Sequence, residues 1–217
     1  MKMLCHEKLL QTAAAAGAVL AAVCLLFFFS VVWENYSRMC YARRLAEEVL
    51  RFHVIANSDS KEDQALKLAV RDALISYMAS YGSSFTDADA AARFAAAHCD
   101  ELEQIAASVI EEAGYFYPVE ASVGPCRFPD KTYDDLCFPA GVYNALRVEI
   151  GQAQGQNWWC VLYPPLCFTE EGSATVPENS REQLKECLSD EDYERLKSSD
   201  PSRPQIRLRL FDWLFGR

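Results

Sequence analysis

Between Lys8 and Glu34 the chain runs for 25 residues, Leu9 to Trp33, without a formal charge. Those residues include Ala13 to Ala16, Val19 to Ala22 and Leu25 to Phe29. About 20 apolar residues suffice to cross a bilayer as a helix. The stretch is also longer than an ordinary core helix, so its natural solvent is lipid. Lys2 and Lys8 give residues 1–8 the character of a basic n-region, which suits an export signal, and no A-x-A-like cleavage site follows Phe29 closely. Residues 9–33 therefore read as a signal anchor or a signal peptide, with the anchor favoured. Arg38, Arg43 and Arg44 lie just beyond it and oppose the usual positive-inside orientation. Cys24 invites a lipoprotein reading, but Val23 is a poor residue before a lipidated cysteine.

Setting that segment aside leaves residues 34–49 as a connector and 50–217 as one globular domain, a usual size for a single core. Only Lys2, Glu7 and Lys8 carry charge before residue 34, so of the net −10 the remainder holds −11. An acidic domain repels phosphate backbones, which excludes nucleic acid as a partner. Seven of the nine cysteines (Cys40, Cys99, Cys126, Cys137, Cys160, Cys167 and Cys187) lie beyond the apolar segment, an odd number that leaves at least one thiol free or paired between molecules.

Periodicity predicts the elements. Leu50 to Ala56 alternates and is β-rich, and Asn57 to Ser60 ends it with turn formers. Leu66, Ala69, Val70, Ala73, Leu74, Tyr77 and Met78 form one helical stripe, with Ser60 and Asp63 as a capping box and Gly82 as the stop. A second helix is expected from Asp87 to Ala113, its apolar face made by Phe94, Leu102, Ile105, Ala106, Val109 and Ile110, its alanine-rich first half lying at the surface or in a shallow groove. Pro118 to Gly124, Ala145 to Gly151 and Trp158 to Tyr163 read as strands, the last two as a hairpin across Gln152 to Gln156. A polar stretch from Thr169 to Asn179, a charged helix from Ser180 to Lys197 and an amphipathic closing strand from Gln205 to Leu210 complete the chain. The fold class is α+β: a small mixed or antiparallel sheet of about five strands packed with two to three helices, behind the N-terminal segment.

Two stretches concentrate polar and aromatic side chains. The first brings His53, Asn57, Asp59, Asp63 and Gln64 to a strand end and a helix start, where loops most often carry function, although Asn57 and Ser58 also suit simple turn roles. The second holds Asn157, Trp158 and Trp159. Adjacent tryptophans on a strand point to opposite faces, so one can be core while the other anchors a partner. Cys160 and Cys167 flank Pro164 and Pro165, a turn that can close a small disulfide loop, with free thiols as the alternative. Their spacing is wrong for a zinc knuckle. Cys126 and Cys137 bracket a loop and form a second candidate pair.

Three runs carry a family resemblance: Arg51 to Asp72 (R-F-H-V-I-A-N-S-D-S, then D-Q, L-K and V-R-D), Phe128 to Tyr133 (F-P-x-K-x-Y), and Pro139 to Phe168 (P-A-G-x-Y-x-A-L-R-V-x-I-G, then N-W-W-C-V-L-Y-P-P-L-C-F). Over about residues 45 to 168 the chain closely resembles the stage II sporulation protein R family. It departs from the expected pattern at Asp134, where glycine is expected, and at Cys126 and Cys137. The resemblance implies an exported forespore protein of the intermembrane space. Its partner would be a septal membrane aspartic protease, which on activation processes the mother-cell sigma factor E precursor. No cofactor, metal or small-molecule substrate is implied, and the chain would not itself be an enzyme.

Two other readings compete. One is an extracytoplasmic thiol or hydrolytic enzyme using Cys160 and His53, since nucleophile and base need only meet in the fold. The sequence holds three histidines (His6, His53, His98) and has no H-E-x-x-H, G-x-S-x-G or phosphate-cradling glycine loop. The other is a structural protein of the sporulation septum.

Overall fold

The computed structural model describes residues 2–167 and 176–198. The expected closing strand from Gln205 to Leu210, and the polar stretch up to residue 175, lie outside these. The chain divides into two compact units, one holding residues up to Cys40 and the other beginning at Tyr41.

The first unit holds most of helix α1 (Lys2–Glu48). It supplies the one stretch among the described residues that is long and apolar enough to cross a membrane, and none of it is buried in protein. Leu26, Phe27 and Phe29 are largely exposed, as the side chains of a membrane-crossing helix would be. Further along the helix Arg38 pairs with Glu34 one turn earlier, where water can reach both.

In the second unit a four-stranded mixed sheet in the order β2-β5-β1-β6 is built from β1 (Leu50–Ile55), β2 (Val119–Phe128), β5 (Gly141–Ile150) and β6 (Asn157–Tyr163). A separate hairpin joins β3 (Lys131–Tyr133) to β4 (Leu136–Phe138). Every residue of β1 is buried, because it is central: it runs parallel to β5 and antiparallel to β6. The hairpin expected between the two late strands is therefore not formed. They run antiparallel but are separated by β1, and residues 151–156 cross over the end of β1 instead of making a tight turn. A strand buried on both faces, with Phe52 and Val54 on one and Arg51 and His53 on the other, needs neighbours on both sides, and β1 takes them from these two.

Side-chain alternation divides the sheet into two faces. Phe52, Val54, Leu146, Val148, Ile150, Cys160 and Leu162 face one core with α2 (Lys61–Ser80), α3 (Ala88–Ala97) and α4 (Cys99–Glu112). On the opposite face Ala145, Tyr143, Phe128 and Val161 join a second core with Tyr41, Leu45, the β3–β4 hairpin, α5 (Glu178–Cys187) and α6 (Asp190–Ser198). Arg44 clamps this layer through two bonds to Asp192, at 3.1 and 2.7 Å.

Two expected helices are each broken in two. The second breaks at His98, whose ring stacks on Phe94 at 4.0 Å and whose Nδ1 lies 2.8 Å from the Phe94 carbonyl. That side chain competes for the local backbone. The break lets Ala91, Ala92 and Ala95 of α3 bury fully, so the alanine-rich half packs in the core and not in a shallow surface groove. The last helix breaks at Leu188 and Ser189, and Ser189 Oγ caps the new helix by accepting from the Asp192 N–H.

Both sheet edges are blunted. On β2, Glu103 accepts from the Ala121 N–H at 2.7 Å and Pro125 offers no donor. On β6, the Tyr133 hydroxyl donates to the Trp159 carbonyl and the Leu166 N–H to the Val161 carbonyl. Asp134, in the β3–β4 turn, has a φ of 56°, a left-handed conformation that aspartate tolerates better than most residues. That is a conformation glycine also adopts readily.

Candidate functional site

The eight candidate contact residues fall into three places. Asn57, Asp59, Asp63 and Gln64 form a clamp where β1 passes into α2. Ser60 caps that helix by accepting from the Asp63 N–H at 3.1 Å, as a capping box requires. The Asp63 carboxylate turns mainly to the residues before Ser60. It is buried and accepts from Asn57 Nδ2 at 2.9 Å and Ser58 Oγ at 2.5 Å. The Ser58 bond, helped by those of Asn57 and Tyr117, holds this carboxyl below the usual carboxylate range against the opposing effect of burial.

Residues 151–156, arriving over the end of β1, bring four backbone N–H groups. Gln152 donates to Asn57 Oδ1 (3.0 Å), Gln154 to the Asn57 carbonyl (3.2 Å), Gly155 to the Ala56 carbonyl (2.9 Å) and Gln156 to Asp59 Oδ1 (2.7 Å). Lys67, buried on α2, bridges Gln64 Oε1 and the Gln156 carbonyl. Two glycines allow this approach. Gly151 has a φ of 60° and a Cβ there would lie 2.3 Å from Asn57 Oδ1, while one on Gly155 would lie 2.2 Å from the Ser58 carbonyl oxygen. The polar residues of the first stretch are thus largely consumed in holding two loops together.

Trp158 stands apart on the helix side of β6, beneath the Arg71 guanidinium at 4.2 Å; Arg71 is itself paired with Asp72 at 2.6 Å. His53, Asn157 and Trp159 meet on the other face. His53 is directly across from Arg147 on β5 and Trp159 on β6. Its ring stacks on Trp159 at 3.7 Å and 17°, and its Nε2 lies 2.9 Å from Asn157 Oδ1. Burial, reinforced by the nearby Arg147 charge and opposed by the Asn157 bond, lowers the His53 pKa to about 4. The exposed end of this face adds Glu149, which accepts from Arg147 at 2.6 Å, and Cys126, whose Sγ lies 3.5 Å from His53 Nδ1.

The cysteines resolve differently. Cys160 and Cys167 are joined by a disulfide with Cα atoms 5.4 Å apart. Cys126 and Cys137 are free thiols, so this second candidate pairing is not made; Cys126 turns toward His53 and Cys137 is buried in the β3–β4 hairpin. Cys160 faces the helix core and His53 the opposite side of the sheet. The Cys160–His53 nucleophile pair is accordingly overturned: the sulfur is in a disulfide and on the wrong face. Among the described residues no cluster of three or more His, Cys, Asp or Glu could hold a metal.

Sequence reasoning missed Cys126, Arg147 and Lys67 as neighbours of the flagged residues. Only strand register brings Arg147 opposite His53, from 94 residues further along the chain. Arg51 is missed too. It is fully buried with no carboxylate partner among the described residues, donating to the Cys160 carbonyl at 3.1 Å and the Tyr133 hydroxyl at 3.3 Å, with the rings of Phe128, Tyr143 and Phe138 at 4.3, 5.0 and 5.2 Å.

Fold and site together define an α+β domain that follows an apolar helix of membrane-crossing length, its two most distinctive sequence stretches locked into one unit by loop clamp and strand register. Residues 46–173 match the family described as stage II sporulation protein R, and the chain belongs to that family. The Bacillus subtilis (strain 168) protein named Stage II sporulation protein R is 33% identical over 143 residues, covering 65% of this chain and 64% of that relative. No solved structure matches the chain.

Proposed function

We propose that this chain is an exported forespore signalling protein. In this reading it activates a septal membrane aspartic protease, which then processes the mother-cell sigma factor E precursor during endospore formation. The family match over residues 46–173 carries the reading. The apolar helix supports it by giving a means of export or anchoring through residues 9–33, and the Cys160–Cys167 disulfide by suiting an oxidising space outside the cytoplasm. The chain acts on its partner by contact, not by chemistry of its own.

The contact is proposed at the sheet end where Asn157 is exposed and Trp159 half-exposed, next to the exposed Asp59. Aromatic side chains that are partly packed at home and partly open are favoured anchors. Co-expression with the protease and the sigma precursor in a non-sporulating host tests this. Precursor cleavage that depends on the chain is expected, and its absence with the wild-type protein overturns the reading in favour of a structural role at the septum. Trp159→Ala and Asn157→Ala, each compared with wild type at a temperature where circular dichroism shows it fully folded, should weaken cleavage.

A further inference from the structure

His53 stands between two side chains that divide its ring nitrogens. Nε2 is 2.9 Å from Asn157 Oδ1, an amide oxygen that can only accept, so Nε2 carries the hydrogen. Nδ1 is then left with a free lone pair, and the group in front of it is the Cys126 thiol, Sγ 3.5 Å away. The stacked Trp159 ring, at 3.7 Å, and the edge of Phe128, at 6.0 Å, fix the plane of the imidazole. Nucleophile, base and an amide that orients the base are the parts of thiol acyl-transfer sites on unrelated folds. The fourth part is a donor for developing negative charge. Arg147, directly across the sheet from His53 and shared with Glu149, supplies positive charge near Cys126.

We propose that Cys126 is a nucleophilic thiol, oriented against His53 by Asn157, that accepts acyl groups from activated esters and thioesters. Sγ forms a bond to the acyl carbon, the bond from that carbon to its leaving oxygen or sulfur breaks, and the thiol proton passes to His53 Nδ1 and on to the leaving group. The products are S-acyl Cys126 and a free alcohol or thiol, and nothing is oxidised or reduced. Burial keeps His53 neutral down to about pH 4, so its lone pair is available at neutral pH, and burial raises the Cys126 thiol, so little thiolate pre-exists. Proton transfer must then accompany attack, which is what a positioned base provides. The charged groups facing the pair are Arg147, which favours the thiolate, and Glu149, which opposes it. This site stands independently of the protease reading, since it needs no partner protein.

The test is acetylation of the full chain in detergent by p-nitrophenyl acetate at neutral pH, with the modified residue mapped by mass spectrometry. Cys126 should acetylate at least about tenfold faster than Cys40, Cys99 or Cys187, less than the roughly hundredfold or more of a base tuned to neutral pH because burial leaves His53 a weak base. Asn157→Ala should slow it by about the same factor by freeing the ring, whereas Asn157→Asp, which keeps an acceptor for Nε2–H, should retain the rate. Acetyl groups spread evenly over the free thiols would overturn the proposal, a comparison the wild-type chain settles without any variant. Equal rates for Asn157→Ala and wild type would overturn it too.

Discussion

His53 makes the stability of this domain depend on pH in a window set by its own burial. Its pKa falls from the ordinary 6.5 to about 4 because charging it would strand a cation between Trp159 and Phe128, beside Arg147. The unfolded chain therefore binds more protons than the folded one between these values, and stability must rise with pH across them. The contribution is complete above about pH 6.5 and is lost as pH falls toward 4. At 1.36 kcal/mol per pKa unit, the domain should be about 2.5 kcal/mol less stable at about pH 4.5 than at neutrality. Asp63, also held below its ordinary pKa, adds its own loss only further down, as pH falls below the ordinary carboxyl range. Urea titrations followed by far-UV circular dichroism, on a form beginning at Glu34 and at several pH values, read this directly. His53→Gln keeps an amide donor for Asn157 and removes the titration, so its stability should be nearly flat across the same window. A wild-type chain equally stable at both ends, or a His53→Gln chain that retains the slope, would refute the claim that His53 is buried neutral.

Asp63→Ala leaves Asn57 Nδ2 and Ser58 Oγ without their charged acceptor and should cost about 3 kcal/mol in the same urea assay, from about 1.5 kcal/mol per such bond. Gly151→Ala places a methyl group against Asn57 Oδ1 in a left-handed backbone, and its urea midpoint should fall by more than that of an alanine substitution at exposed Gln154. Arg51→Ala should destabilise more than Arg51→Met, because methionine refills the space between Phe128, Tyr143 and Phe138 and no carboxylate is left orphaned; equal losses would mean that the bonds to Cys160 and Tyr133 dominate. Reducing Cys160–Cys167, which closes a loop with a sequence separation of 7, should lower stability by about 2.5 kcal/mol on the chain-entropy account.

The elements legible in the sequence are those whose burial obeys one period. Leu66, Val70, Leu74 and Met78 bury on one side of α2 as the stripe requires, and Leu102, Ala106 and Ile110 do so on α4. The breaks at His98 and at Leu188–Ser189 are not legible by periodicity, because the helical pattern continues across both. The hairpin expectation failed for a related reason. Glycines at 151 and 155 are a turn signal, but here they serve close approach to Asn57 and Ser58, and a turn signal does not reveal which strand the chain passes over. Of the candidate site, the residue types were visible and their partners were not. Asn57, Asp59 and Gln64 look like exposed loop donors and acceptors until four backbone N–H groups arrive from about 95 residues away.

That arrangement explains why two stretches so distant in sequence carry the family resemblance together. Arg51 to Ile55 are paired residue for residue with Ala145 to Glu149 on one side and, with a register shift near Leu50, with Asn157 to Val161 on the other. The segment that links those two partners is the one bonded to Ala56, Asn57 and Asp59. A change at Asn57 therefore moves the 151–156 crossing, the crossing sets where β6 begins, and the first residue of β6 is Asn157, which holds the His53 ring. Asn57→Ala should accordingly disturb the His53 environment although the two side chains are not bonded to each other. The shift of the His53 ring protons in the nuclear magnetic resonance spectrum should follow that substitution and stay unmoved by a change at exposed Glu111, on the far side of the helical layer.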